Sequence, residues 1–343
     1  MDIYDLFLNI YLFTKKEDIM RRAIVCLLAL ALVTGVYAQN KAGWPDQLKF
    51  MSGPPGGNWF ALGTALAEMW SKNVIQTTSS SGGGVANILN TDTKKGDFGF
   101  TVASLLGAAI AGEEDFEGKV VKNSVIMANL YTQYTYFIMR KDFAEKNGIK
   151  SVDDMIEKNI PIRFATLKPG TASEFIIKAL FKKGYKTDYD QLKKKKWTFG
   201  FTSYDDGADL LADNHLDCFA FSVGKIASVV MNIESNTQVV ILPVGQKALD
   251  ALAAAYGTTT FTITPGTYKC VTSPVKTIGD YTCIVVRKDL PDSLVYELNK
   301  TLWANRDSLA MAVGDIAELN PKDALPEGLP SHPASVQFWK SVK

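Results

Sequence analysis

The chain has 343 residues, 47% hydrophobic and 21% charged, a globular composition with length enough for two domains. Its 37 Lys and Arg balance 36 Asp and Glu to a net charge of +1. With no basic excess to neutralise phosphates, a nucleic-acid partner is excluded, and the one lysine run, 193–196, reads as a solvated face.

The segment "MRRAIVCLLALALVTGVYAQN" begins at Met20 with Arg21 and Arg22, continues through an apolar run at 23–33 and reaches Val36-Tyr37-Ala38. A basic start, a short apolar core and small residues before the cut are the pattern of a secretory signal peptide. Residues 1–38 are therefore expected to be removed, with cleavage after Ala38 and 1–19 an upstream extension. A retained anchor helix competes with this reading, but the apolar run is short for a membrane span. Cys26 leaves with the signal. Cys218, Cys270 and Cys283 remain, and a Cys270–Cys283 bridge is allowed but not required.

Leu48–Met51 reads as a short strand feeding the loop "SGPPGGN", and the helix after it places Trp59, Leu62, Leu66, Met69 and Trp70 on one face. A second strand runs to about Thr78, followed by the loop "SSSGGG" and a helix from about Val85. A strand at Phe98–Val102 and another helix follow. The pattern returns with a strand at 162–166, the loop "LKPG" and a helix opened by Thr171 and Glu174 in the T-x-x-E spacing of a capping box, with Gly184 as its stop. A further strand runs from near Cys218 to Ser222, with a turn at Gly224. Strand, loop and helix in alternation predict an α/β fold with a largely parallel sheet.

One internal echo bears on the layout. Residues 134–142, "YTYFIMRKD", and 281–289, "YTCIVVRKD", are both apolar strands that run into Arg-Lys-Asp. The segment between them is long enough to be a lobe of its own. The chain is expected to leave one lobe along the first strand and return along the second, so that two crossing strands form a hinge beside a cleft. The boundaries that follow are 39–138 for the first lobe, 139–277 for the second, and 278–343 for the return.

Catalytic patterns are lacking. His215 and His332 stand in no metal-ligand spacing, the cysteines form no C-x-x-C pair, and no nucleophile elbow, Walker loop or G-x-G-x-x-G is present. The pairs Asp153/Asp154 and Asp205/Asp206 read as caps and surface charge. Three loops of one type stand out instead: 53–58, 79–84 and 169–173 each follow a strand and open a helix. The first turn of a helix carries unpaired N–H groups and a partial positive charge, so it can hold a carboxylate without Arg or Lys. Three such loops beside a hinge, with no catalytic set, favour binding over catalysis.

These motifs resemble the TAXI-type solute-binding proteins of TRAP transporters, over roughly residues 47–342. "SGPPGGNWFALGTALAE" is similar to the family's opening Gly-rich loop, and "SSSGGGVANILNTDTKKGDFGF" to its small-residue loop, Asn and acidic-Gly strand. "IPIRFATLKPGTASE" is similar to its G-S-G-T-like loop, and "LPSHPASVQFWK" to its C-terminal His-Pro segment. Pro54 and Pro55 depart from the family's small residues and remove two N–H donors; "SSSGGG" and Ser104 depart as well.

The resemblance implies a two-lobed, type II periplasmic-binding-protein-like α/β fold, with a ligand cleft between lobes joined by two crossing strands. It implies an extracytoplasmic receptor, not an enzyme, that closes on a small anionic solute, glutamate-like or a C4–C5 dicarboxylate, and presents it to a TRAP-type permease. No cofactor or metal is implied. The candidate ligand residues are Gly56, Gly57, Asn58 and Trp59 in the first loop, with Phe60 either a pocket wall or core. Ser81, Asn87 and Ser104 follow, with Tyr131 and Gln133 near the hinge. Gly170, Thr171, Ala172 and Ser173 supply the opposing helix start, and Phe221 and Ser222 end a late strand. Two other readings are a receptor serving a signalling partner and a hydrolase or lyase built on the same scaffold, whose Ser104 or Ser222 would lack a base.

Overall fold

Two long strands carry the architecture. In the computed structural model, which describes residues 41–342, β1 (Leu48–Met51), α1 (Asn58–Asn73), β2 (Thr77–Ser80), α2 (Gly84–Asp92), β3 (Phe98–Val102) and α3 (Ala103–Ala111) come first. The 17-residue strand β4 (Ser124–Arg140) leads out to α4 (Lys141–Asn147) and α5 (Val152–Glu157). Then come β5 (Arg163–Leu167), α6 (Ala172–Ala179), α7 (Tyr189–Lys194), β6 (Thr198–Thr202), α8 (Tyr204–Ala212) and β7 (Cys218–Gly224). After α9 (Ser228–Asn236), β8 (Val239–Ile241), α10 (Gln246–Tyr256) and β9 (Thr259–Ile263), β10 (Val275–Arg287) brings the chain back. It ends in α11 (Asp292–Ala304), α12 (Arg306–Leu309) and α13 (Pro333–Ser341). The signal-peptide expectation concerns residues outside those described. Among the described residues no helix is long and apolar enough to cross a membrane.

The strands pair in the order β2-β1-β3-β10-β4-β7-β5-β6, with β8 on β4 and β9 on β10. Pairing is parallel within each group, β1 with β2 and β3, and β5 with β6 and β7. It is antiparallel wherever β4 or β10 takes part, so the sheet is parallel in each lobe and antiparallel at its centre. β4 pairs with β10 along residues 124–134 and with β7 along 133–139. At about 3.3 Å per residue it is about 55 Å long, enough to belong to both lobes. β10 crosses in the opposite sense, on β9 at its start and on β3 at its end. Two register shifts, at Thr282/Cys283 and Ile284/Val285, mark the crossing.

The sequence echo has a structural basis. At the end of β4, Arg140 Nη2 pairs with Asp142 at 2.9 Å, and at the end of β10, Arg287 Nε pairs with Asp289 at 2.9 Å. Asp97, just before β3, accepts from Lys49 N, and Asp217, just before β7, accepts from Arg163 N. Each lobe thus closes its sheet corner with the same device at the opposite end of a crossing strand.

The buried face of α1 is the predicted one: Trp59, Leu62, Leu66, Met69 and Trp70. It covers a cluster in which Phe50 meets Phe98 at 4.9 Å and Phe100 at 4.8 Å between ring centroids. In the second lobe Phe164 packs on Phe181, Trp197 and Phe199. Cys218, Cys270 and Cys283 are free thiols, so the allowed Cys270–Cys283 bridge does not form. His332 is fully buried and serves as the N-cap of α13, its Nδ1 accepting from Ala334 N while Nε2 meets Leu290 O at 3.2 Å. Burial lowers its pKa, which suits a neutral cap.

Candidate functional site

Three helix starts converge on one small cavity. The loop before α1 brings Pro54, Gly57, Asn58 and Trp59, the start of α2 brings Gly83 and Gly84, and the start of α6 brings Thr171, Ala172 and Ser173. Gln133 of β4, Leu167, Tyr204 and residues 222–224 of β7 complete the wall. About 20 Å³ is open to the centre of a water molecule, room for little more than a water, so the cleft is closed. The lobes touch directly: Val85 N donates to Gly170 O at 3.2 Å.

Two glycines permit that approach. A Cβ on Gly57 would stand 2.6 Å from the Tyr204 ring, and one on Gly83 would stand 2.7 Å from Gly170 O, both on the opposite lobe. Neither α1 nor α2, capped by Gly57 and Gly83, has a side-chain oxygen bonding its first turn. Their first-turn N–H groups are therefore not taken by a capping side chain. α6 differs, since Thr171 Oγ1 accepts from Glu174 N at 3.2 Å. Only half of the expected capping box forms. The Glu174 carboxylate does not return to the cap but accepts from Tyr189 Oη at 3.2 Å and lies 3.7 Å from Lys178 Nζ.

The polar wall is wired in advance. Trp59 Nε1 donates to Thr282 Oγ1 at 3.0 Å, and Thr282 donates on to Gln133 Oε1 at 3.0 Å. This fixes the amide of Gln133 and leaves its N–H2 as the end available to a solute. Ser173 Oγ accepts from Ser222 N at 2.9 Å and donates to Ser222 O at 3.1 Å; Tyr204 Oη donates to Ser222 O at 2.8 Å. The Tyr131 hydroxyl is buried without a hydrogen-bond partner among the described residues. Burial and the Asp315 carboxylate push its pKa well above the phenol range, so it is a donor at any physiological pH. Beside it, the Thr282 hydroxyl is already committed to Gln133.

No charged side chain lines the cavity among the described residues. Two carboxylates stand just behind the wall. Asp315, from the turn Gly314–Glu318, accepts from Asn58 Nδ2 at 2.8 Å and from Ile226 N at 3.4 Å, so it touches both lobes. Burial raises its pKa to about 6, and Glu318 adds to the effect. Asp280 of β10 accepts from Ser104 Oγ and, at 3.3 Å, from Ser104 N. Burial outweighs these bonds and raises its pKa to about 6.

Of the sequence candidates, Gly57, Asn58, Trp59, Gln133, Thr171, Ala172, Ser173 and Ser222 line this cavity. The others lie elsewhere, Tyr131 in a separate groove with Ser104, Tyr256 and Glu318. Gly56, at φ +83°, faces Asp205 in an outer groove that also holds Phe60, which is neither pocket wall nor core but 39% exposed. Ser81 is exposed. Asn87 is fully buried and committed to backbone: Nδ2 donates to Met51 O, Ser52 O and Phe100 O, and Oδ1 accepts from Gly83 N. Ser104 opens α3, where Asp280 already satisfies the helix start. Gly170, at φ +91°, spends its carbonyl on Val85, and Phe221 is in the core. Sequence reasoning named Ser222 but missed Tyr204, the last two residues of β7, and Pro54, Gly83, Gly84 and Leu167. A signal for Tyr204 was present, since "TFGFTSYDD" is a fourth strand-loop-helix unit whose Ser203 accepts from Asp206 N at 3.1 Å.

The fold has known counterparts. The structure of MatC from Rhodopseudomonas palustris with bound malate superposes with a TM-score of 0.53 at 15% identity, covering 87% of this chain and 97% of that one. The periplasmic binding protein BugD superposes at 0.51 with 15% identity over 87% and 94%. A structure described as a periplasmic transporter gives 0.50 with 12% identity over 87% and 93%. At these identities the likeness is one of fold: two α/β lobes joined by two crossing strands, the type II periplasmic-binding-protein arrangement. A family model, that of the NMT1-like family, matches residues 50–342, and the chain belongs to that family.

Proposed function

We propose that this protein is an extracytoplasmic solute receptor. It captures a small carboxylate, a glutamate-like amino acid or a C4–C5 dicarboxylate, by closing its two lobes. It then delivers the solute to a TRAP-type membrane permease, as TAXI-type receptors do. The observation that carries this reading is the convergence of three helix starts, two from one lobe and one from the other, on a cavity walled only by neutral groups. With the cleft less tightly closed than in this structure, an anion there is held by N–H and O–H donors and by helix dipoles, with no lysine or arginine to compete for it. Donors from both lobes make closure more favourable when the solute is between them. In this reading Asn58, Gln133 and Ser173 contact the solute, and no bond is made or broken.

The test is thermal unfolding of the full chain after denaturation and refolding to strip any retained solute. Glutamate, glutamine, 2-oxoglutarate, succinate, malate, fumarate and neutral amino acids form the panel. A solute at about 100 times its Kd adds about 2.7 kcal/mol, a rise of several degrees in Tm. A shift with one acid and none with neutral controls supports the reading. A cooperatively unfolding protein that responds to none of the acids overturns it.

A further inference from the structure

We infer that the acidic turn Glu114–Phe116, which follows α3, is an ionic latch that holds the two lobes closed, with the cationic side of α6 as its partner. Glu114 Oε1 lies 2.9 Å from Lys182 Nζ and 3.9 Å from Lys183 Nζ, and it accepts from Tyr256 Oη at 2.8 Å. Asp115 Oδ1 lies 2.5 Å from Lys178 Nζ, which Glu174 also approaches. Every one of these partners belongs to the second lobe. The acidic turn belongs to the first and is anchored there by Phe116, which is fully buried.

The placement ties the latch to the cavity. Glu174, Lys178 and Lys182 stand four residues apart, one stripe along α6 and its continuation at Leu180–Gly184. The first turn of the same helix, with Ala172 and Ser173, walls the cavity. Pairs formed on the stripe therefore hold the cavity end of α6 in place, which makes Glu114 and Asp115 positioning residues. Opening the cleft breaks the pairs of Glu114 and Asp115 together.

Two features mark the turn as built for this contact. Glu114 holds φ +53°, a left-handed conformation that a residue with a side chain rarely adopts. Its carboxylate is 7% exposed, and although burial alone would raise its pKa, Lys182, Tyr256 and Lys183 hold it below the ordinary value. The latch is also reversible. Asp115 Oδ2 is buried without a partner among the described residues, a cost that opening to water relieves. The lysines are 57%, 33% and 30% exposed, so each pair is modest and the effect comes from their number.

The consequence for solute retention rests on the receptor reading above; the latch itself does not, and its test needs no solute. Val85 N lies in the first turn of α2, where a helix offers no acceptor, and its partner is Gly170 O across the cleft. Its amide exchange, followed by NMR on the full chain without added solute, reports closure. Exchange at Ile284, deep in β10, reports global unfolding. The double variant Glu114→Gln, Asp115→Asn is expected to exchange Val85 about tenfold faster, with Ile284 unchanged. The swap Glu114→Lys, Lys182→Glu is expected to return Val85 toward the parental rate. Unchanged Val85 exchange in the neutral variant overturns the latch. If the neutral variant also exposes Ile284, the swap decides: restored Val85 protection supports the latch, and unrestored protection overturns it.

Discussion

Tyr131 and Thr282 sit side by side and should respond to mutation in opposite ways. The Tyr131 hydroxyl is buried and unpartnered among the described residues, so Tyr131→Phe removes a desolvated group that gains nothing in the solute-free protein. Denaturant titration is expected to find stability unchanged or slightly raised. A large loss of stability would mean that the hydroxyl is satisfied in solution. Thr282 is the middle of a buried chain from Trp59 to Gln133. Thr282→Val strands the Trp59 N–H and is expected to cost about 1–3 kcal/mol in the same titration. At this scale the sequence was a partial guide. It marked Asn58 and Ser173 because they lie in or next to loops of a recognisable kind, and Gln133 because it lies near the hinge. It mistook Asn87 for a ligand contact because an amide beside glycines reads the same whether it faces a solute or three backbone carbonyls.

The helix start is the unit from which the site is made, and its sequence signal is short and local. Gly83 shows what that signal can and cannot say. Its φ of −162° is ordinary extended backbone, so the glycine is not needed for the turn itself. It is needed because a Cβ would meet Gly170 O and the start of α6 on the other lobe. Gly83→Ala should therefore be tolerated by an open protein and resisted by a closed one. Calorimetry is expected to show at least about tenfold weaker solute binding, with the Tm of the solute-free protein changed by no more than about 2 °C. Weakened stability with intact binding would refute this account of the glycine. A further helix start, that of α3, is legible as a strand-to-helix junction, yet Asp280 occupies it. Nothing near Ser104 in the sequence announces a carboxylate arriving from a strand that far away, because Ser104 and Asp280 are 176 residues apart.

For the whole molecule, the two buried aspartates set a pH dependence. The folded-state pKa values of Asp280 and Asp315 are raised to about 6, from about 3.8. Between about pH 4 and pH 6 the folded chain therefore holds protons that the unfolded chain has released, and stability falls as pH rises through this window. Below it both states are protonated and above it both are ionised, so the curve is flat. A shift of about two units corresponds to about 3 kcal/mol per group as an order of magnitude. Glu174, raised by burial, acts in the same direction. The lowered carboxylates Glu114, Asp142 and Asp289 act oppositely, at lower pH. Denaturant unfolding from pH 4 to pH 7 is expected to show Asp280→Asn losing part of this slope; an unchanged slope would mean that Asp280 is ionised throughout.

By itself the sequence determined the repeating strand-loop-helix units, the buried face of α1 and the two crossing strands with the lobe enclosed between them. Those features are written in patterns that span a few residues, a helical turn or a strand's alternation, and local chemistry enforces them. The tertiary structure alone decided which helix starts meet, which glycines are spacers between lobes, and that Asp280 fills the start of α3. It also decided that an acidic turn on one lobe faces a lysine stripe on the other. Such contacts join residues as distant as Asn58 and Asp315, 257 positions apart. Some join the returning segment to the first lobe and others cross between the lobes, as Val85 to Gly170 does, and no local pattern encodes such distances.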